Sequence, residues 1–298
     1  MILKRLLSLL IIFCMIFCLS CTTSTVAVRD KEKDKATTEN ITETGIENSA
    51  EADGESVIEV TEPFSDDSET EIEPVPETEP EEIVPAIAYT DIMLDVPYIS
   101  QKDILPNGCE AVCATMLMQY YGIEADALDF ARYYMLRDVF IKDEEGRVFG
   151  PDPEEVYVGD PEIDDGGFGC YPSVITESLE RCLPEGYIAI DISGMNINEI
   201  TNTYLADNIP VALWMTVDMK KTEKVVSWYD KADFDNEEPR VIEYPANLHV
   251  MVLCGYDGEN FIFSDPYDSR GVVKHSYEDT LMIYESMGRR AFAINKNF

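Results

Sequence analysis

Two cysteines stand four residues apart in QKDILPNGCEAVCATMLMQYYG, residues 101 to 122. A thiol attacks a carbonyl as its thiolate, so the surroundings of each sulfur decide which of the two can do chemistry. Pro106-Asn107-Gly108 opens a helix, which puts Cys109 in the first turn. Unpaired backbone N–H groups there carry partial positive charge and favour a thiolate. Cys113 lies one turn deeper, in a helical stripe with Val112, Met116, Leu117 and Tyr120. A thiolate at that depth would be desolvated, so Cys113 reads as neutral packing. Cys109 is the candidate nucleophile, and two packed core thiols are the alternative.

A nucleophilic thiol needs a base, and the chain has only two histidines. His249 begins an apolar β-rich run, and Asp265 closes the next one, 16 residues on. Asp257-Gly258 between the runs is a hairpin signal. With the loop at Tyr256 to Gly258, His249 and Asp265 fall opposite each other, and the carboxylate holds the imidazole tautomer. A slip of one residue would put them on opposite faces of the sheet. His275, in VVKHSY, reads as an exposed strand end and is the less suitable base. The alternative for His249 is a strand histidine satisfied by a backbone carbonyl.

The elements that must position these residues follow from periodicity and punctuation. Residues 92–100 read as a strand, and the Cys109 helix ends at Gly122, a C′ glycine. Helices are expected over about 125–136, 173–183, 197–206 and 276–287, and strands over 187–193, 209–219 and 289–294. Residues 143–170, ending in DDGGFGCYP, read as loop, and 220–247 as irregular or hairpin. The GGFG segment either borders a cleft or is only a turn. Helices come mainly first and paired strands mainly last, which is an α+β pattern.

The 298 residues divide into three parts. Residues 1–21 have a basic start, Lys4-Arg5, and an apolar run too short to span a membrane comfortably, as in a secretory signal. Its end, Cys18-Leu19-Ser20-Cys21, resembles a bacterial lipobox, although leucine is usual where Cys18 stands. Lipidation of Cys21 would anchor the protein to the membrane at the bacterial cell surface. An ordinary cleaved signal or an uncleaved anchor is the alternative. Residues 22–90 carry 20 Asp/Glu against 4 Lys/Arg, with five prolines. Such a segment buries too little apolar surface to offset its ordering entropy, and it reads as a disordered spacer. An ideal coil of that length would span roughly 45 Å, and like charges extend it.

Residues 91–298 form the folded part, with 39 Asp/Glu against 16 Lys/Arg. That balance argues against nucleic acid as a partner. Its five cysteines leave at least one thiol unpaired, whether Cys170 and Cys182 pair or all five are reduced. Residues 91–298 contain no CxxC and only two histidines, so a zinc site of the usual spacing is not expected, and no other cofactor is called for.

The order Gln…Cys…His…Asp resembles the papain-clan bacteriocin-processing (double-glycine leader) peptidases, in their stand-alone secreted branch. The matching residues are VPYISQ (96–101), LPNGCEAVCATMLMQYYG (105–122), VGDP (158–161), GGFGCYPS (166–173), IPVALWMTV (209–217), LHVMVLCGYD (248–257) and FIFSDPY (261–267). The resemblance implies a papain-like fold, with N-terminal helices packed on a C-terminal antiparallel sheet. It implies Gln101 as an oxyanion-hole donor, Cys109 as nucleophile, His249 as base and Asp265 as its orienting partner. The expected activity is hydrolysis of peptide or isopeptide bonds in a peptide or protein substrate, with cell-wall peptide as one candidate. A non-enzymatic binding domain on a peptidase scaffold is the rival. Transporters that process leader peptides carry an ATPase, but this sequence has no GxxxxGK[ST] motif, so export coupling is not expected.

Overall fold

The first strand, β1, is only Ile92–Met93, shorter than the sequence suggests. Beyond it Leu94 donates its N–H to Cys254 O at 2.7 Å, and Pro97 has no N–H to continue a ladder. The structure is a computed structural model describing residues 85–164 and 166–296. Cys21, the expected signal segment and the expected spacer as far as residue 84 lie outside the described residues. Residues 85–88, grouped with the spacer by composition, are held to the domain. Asn198 and Asn202 donate to the carbonyls of Pro85 and Ala86, Ala88 N–H donates back to Asn202, and Ile87 packs on the core. Residues 85–90 carry no charge, unlike the acid-rich segment before them, which lets them dock.

Helix α1, Cys109–Tyr120, ends as expected: Gly122 has φ +76°, its N–H bonds Gln119 O, and Ile123 N–H bonds Met118 O, a Schellman closure. The helix is not amphipathic, however. Every residue from Cys109 to Met118 is buried, Glu110 and Thr115 included, so α1 is a central helix covered on all sides rather than one with a single apolar stripe. Helix α2, Ala127–Tyr133, starts at Asp126, whose carboxylate accepts the Leu128 and Asp129 N–H groups.

After β2 (Arg137–Asp138) and β3 (Ile141–Lys142), the region expected to be loop holds three strands of three residues each: β4 (Val148–Gly150), β5 (Tyr157–Gly159) and β6 (Gly167–Gly169). They are too short to show a period, and β4 pairs in parallel with a strand some 80 residues away. Then come α3 (Pro172–Glu180), β7 (Tyr187–Asp191), α4 (Ile197–Thr203), β8 (Val211–Thr216), β9 (Val225–Asp230) and β10 (Val241–Pro245). The chain closes with β11 (Leu248–Tyr256), β12 (Asn260–Asp265), β13 (Gly271–Ser276), α5 (Tyr277–Ser286) and β14 (Ala291–Lys296).

The main sheet runs β13-β12-β11-β8-β14-β7, with β1 added on β11, and all its pairs are antiparallel. α1 lies against β11, where Cys113 Sγ donates to Val250 O at 3.3 Å. Two smaller sheets, β10-β9-β4-β3 and β2-β5-β6, flank this core. Helices from the first half of the chain pack on an antiparallel sheet drawn mainly from the second half, the expected α+β arrangement. All five cysteines of the described residues are free. Cys182 bonds back into the end of α3 through Ser178 O and Leu179 O, so the Cys170–Cys182 pairing does not form.

Candidate active site

A cleft of about 300 Å³ is lined by Gln101, Cys109 and His249, with Asn107, Gly167, Phe168, Tyr244 and Tyr267 among its walls. A larger surface hollow of about 830 Å³, at Tyr120, Asn208 and Lys296, contains none of the four residues singled out from the sequence. Asp265 does not reach the cleft surface; it stands behind His249, fully buried.

The β11–β12 pairing brings His249 to Asp265 by a route the sequence does not show. From the turn, Tyr256 pairs with Phe261 and Gly255 with Ile262; then Cys254 is passed over, and Leu253 pairs with Phe263 and Val252 with Ser264. In this register Asp265 is level with Met251 and diagonal to His249, not directly opposite it. Without the extra residue Asp265 would be level with Val252, whose side chain points to the other face from His249. The bulge at Cys254 therefore restores the face that the expected three-residue loop was invoked to provide. The diagonal spacing is within reach of a histidine and an aspartate. His249 Nε2 and Asp265 Oδ1 are 2.7 Å apart, leaving Nδ1 as the ring nitrogen not held by Asp265.

Asp265 Oδ1 also accepts the Tyr267 N–H at 2.9 Å, and Arg270 Nη1 lies 3.4 Å from Oδ2. Burial works against the carboxylate, but the His249 hydrogen bond and charge, the Tyr267 N–H and Arg270 outweigh it and hold its pKa below the ordinary aspartate range. Tyr267 packs edge-on against the His249 ring, and the Arg270 guanidinium sits over the Tyr267 ring. His275, on β13, faces Phe261 across the ladder and packs near Phe263, outside the cleft. Burial lowers its pKa.

Gln101 is tied to both strand end and helix start. Its N–H bonds Pro266 O, its carbonyl accepts the Ile104 and Leu105 N–H groups, and its Nε2 donates to Pro106 O at 2.6 Å. It is 4 % exposed, so it is not the solvent-facing strand-end glutamine that is the usual alternative. Its Oε1 is buried without a partner.

Cys109 opens α1 after Gly108, which makes no side-chain cap. Its thiol is not in the state that helix position alone suggests. Burial pushes its pKa well up, with the neighbouring Glu110 carboxyl adding to the effect. Cys113 is pushed up by burial as well, as expected. The Cys109 thiol donates to Glu110 Oε2 at 3.3 Å. Sequence reasoning missed Glu110: an acid in a first helical turn ordinarily reads as a solvated partner of the helix dipole. The burial of this one becomes visible only once α1 is seen to be covered on every side.

The GGFG segment forms β6 and one wall of the cleft. Gly169 has φ +138°, and a Cβ there would overlap both Tyr244 Oη and Glu110 Oε1. The adjoining Cys170 peptide is clamped from two sides: its N–H donates to Glu110 Oε1 at 3.0 Å, and its carbonyl accepts the Trp214 indole N–H at 2.8 Å.

No curated protein matches this chain. Among solved structures, it is similar to a Bacillus anthracis protein assigned as a C39-like peptidase, with a TM-score of 0.59 and 25% identity, over 69% of this chain and 98% of that one. The family model that matches covers residues 93–292, from the end of β1 into β14. That span takes in the cleft and all four residues argued from the sequence, and the chain belongs to the Peptidase C39 like family.

Proposed function

We propose that the protein is a cysteine peptidase that hydrolyses peptide or isopeptide bonds, with Cys109 as nucleophile. The observation that carries this reading is the 2.7 Å His249 Nε2–Asp265 Oδ1 contact behind a cleft that Cys109 and Gln101 also line. With Nε2 held by Asp265, His249 offers Nδ1 to the thiol. The Cys109 thiolate adds to the scissile carbonyl. The oxyanion takes hydrogen bonds from the Cys109 backbone N–H, which at the first helical position has no intrahelical acceptor, and from the Gln101 amide. One Gln101 N–H is engaged by Pro106 O, which fixes the amide and leaves its other N–H for the oxyanion. The His249 imidazolium then protonates the leaving amine, and water hydrolyses the thioester.

In this reading the domain works outside the cell, tethered through lipidated Cys21 and the acidic spacer, on a peptide, protein or cell-wall peptide. The test is incubation of the full mature chain with a peptide library and with purified cell wall, followed by mass spectrometry of the fragments. New termini that vanish in Cys109→Ala support the reading, and those from the wall sample alone would narrow the substrate to wall peptide. Fragments that persist in Cys109→Ala, or no fragments from either sample, overturn it in favour of a binding domain on this scaffold.

A further inference from the structure

Glu110 follows the proposed nucleophile directly, yet it points into the protein, 1 % exposed. Both of its oxygens are engaged: Oε1 accepts the Cys170 N–H at 3.0 Å, and Oε2 accepts the Cys109 thiol at 3.3 Å. Among the described residues no lysine or arginine forms an ion pair with it. A glutamine would accept from the Cys170 N–H equally well without a charge. A buried acid with no cation is an expensive way to satisfy neutral backbone N–H groups, here its own and that of Cys170, which calls for a role for its proton.

The groups around Glu110 are all acids or thiols. On α1 they are Cys109 and Cys113; from the turn after β6, Cys170; from β5, Tyr157; from β10, Tyr244, whose buried Oη has no partner. Asp160 lies beyond Tyr157 and Glu154 beyond Cys170, and His249 and Asp265 stand across the cleft from Cys109. Tyr157 itself is turned away, donating to Asn107 O at 2.6 Å. Burial raises the Glu110 pKa to about 7.

We propose that Glu110 is a titrating positioning residue for Cys109: as a carboxylate it holds the resting thiol by a hydrogen bond and keeps the sulfur protonated, and as a carboxylic acid it releases the sulfur to pair with His249. This rests on the peptidase reading above. The protons balance. One proton from solvent binds the Glu110 carboxylate, and the thiol proton moves to His249 Nδ1, so that carboxylate, thiol and imidazole become carboxylic acid, thiolate and imidazolium. The thiolate fraction therefore grows as the pH falls through about 7, opposite to a free thiol. A thiol of ordinary pKa loses about tenfold of its thiolate with each pH unit below that pKa. Gly169 fits the same picture, because any side chain there would push Glu110 away from Cys170.

The test is the rate of Cys109 alkylation by iodoacetamide in the full mature chain, read by peptide mapping from pH 8 to pH 6. The parent rate should hold or rise across that interval, where a free thiol would fall about 100-fold. Glu110→Gln should react at least tenfold faster than the parent at pH 8 and lose the rise toward pH 6. A parent rate that falls tenfold per pH unit overturns the proposal without any variant, so a folding defect in Glu110→Gln cannot shield it. A rise that persists unchanged in Glu110→Gln overturns it too. Alkylation reads the thiol independently of turnover: an ordinary profile with Cys109-dependent cleavage sinks only the role of Glu110, whereas cleavage that survives Cys109→Ala sinks the peptidase reading.

Discussion

Two buried carboxyl groups flank the cleft, one on each side, and they sit in opposite electrostatic settings. Asp265, on the sheet side, has a histidine, a backbone N–H and an arginine, and its pKa is held low. Glu110, on the helix side, has its own backbone N–H, that of Cys170 and a thiol, with no cation, and burial pushes its pKa up to about 7. Exposure does not distinguish them, at 0 % and 1 %. Burial sets the penalty for charge, while the partner set decides whether that penalty is met. One carboxyl is built to stay ionised beside an imidazole, and the other to change state beside a sulfur.

The largest effect is expected on the sheet side. His249→Ala should lower kcat on the order of 10⁴-fold or more with the fold intact, since it removes the group that Asp265 orients. Circular dichroism beside a cleavage assay checks this, and parent-like turnover would leave Asp265 a structural carboxylate only. Next is Gln101→Ala, for which loss of one oxyanion donor predicts a kcat about 10²- to 10³-fold lower at near-parent KM. Because Gln101 is buried and bonds Pro106 O, the change should also cost about 1–3 kcal/mol of stability, readable in urea melts. A solvent-facing glutamine would show neither effect.

The two carboxyls should differ in how they link stability to pH. For Glu110 the folded pKa is raised from 4.5 to about 7, so the folded state prefers the neutral acid. Its stabilising contribution is complete below pH 4.5 and is lost as the pH rises to about 7. Glu110→Gln carries no ionisable group, so in urea melts it should gain on the parent by up to about 3 kcal/mol between pH 4.5 and pH 8. Asp265 has the reverse sign: its contribution is present above its ordinary pKa of 3.8 and is lost as the pH falls below that. A Glu110→Gln-minus-parent difference that stays flat with pH would place Glu110 with Asp265 rather than against it. The smallest expected effect on turnover is from His275→Ala, which is half-buried but lies outside the cleft and should change turnover less than about twofold.

The sheet side was largely legible in the sequence, because His249, Asp257-Gly258 and Asp265 lie within one hairpin and local signals govern it. Even there the register needed a bulge whose only sequence sign is Gly255, a glycine inside a strand, beside Cys254. The helix side was half legible. Cys109 and the Gly122 stop could be read from spacing, but the charge state of Cys109 depends on Glu110, and the burial of Glu110 depends on elements 50 to 135 residues away. The short strands between residues 148 and 169 were missed for the same reason: their partners are distant, and three residues carry no period.

The bulge at Cys254 has a genetic consequence. Both faces of β11 and β12 are buried, so hydrophobic patterning does not penalise a change of face as it would in a half-exposed hairpin. Loss of the single codon for Cys254 would turn Asp265 away from His249 and still leave every other residue of the motif in the gene. Such an allele would be silent in a cleavage assay, and the repacking of both buried faces would lower its stability as well. A lineage could thus shed the proposed activity by one in-frame deletion, and a scan for Gln101, Cys109, His249 and Asp265 would still score it as intact.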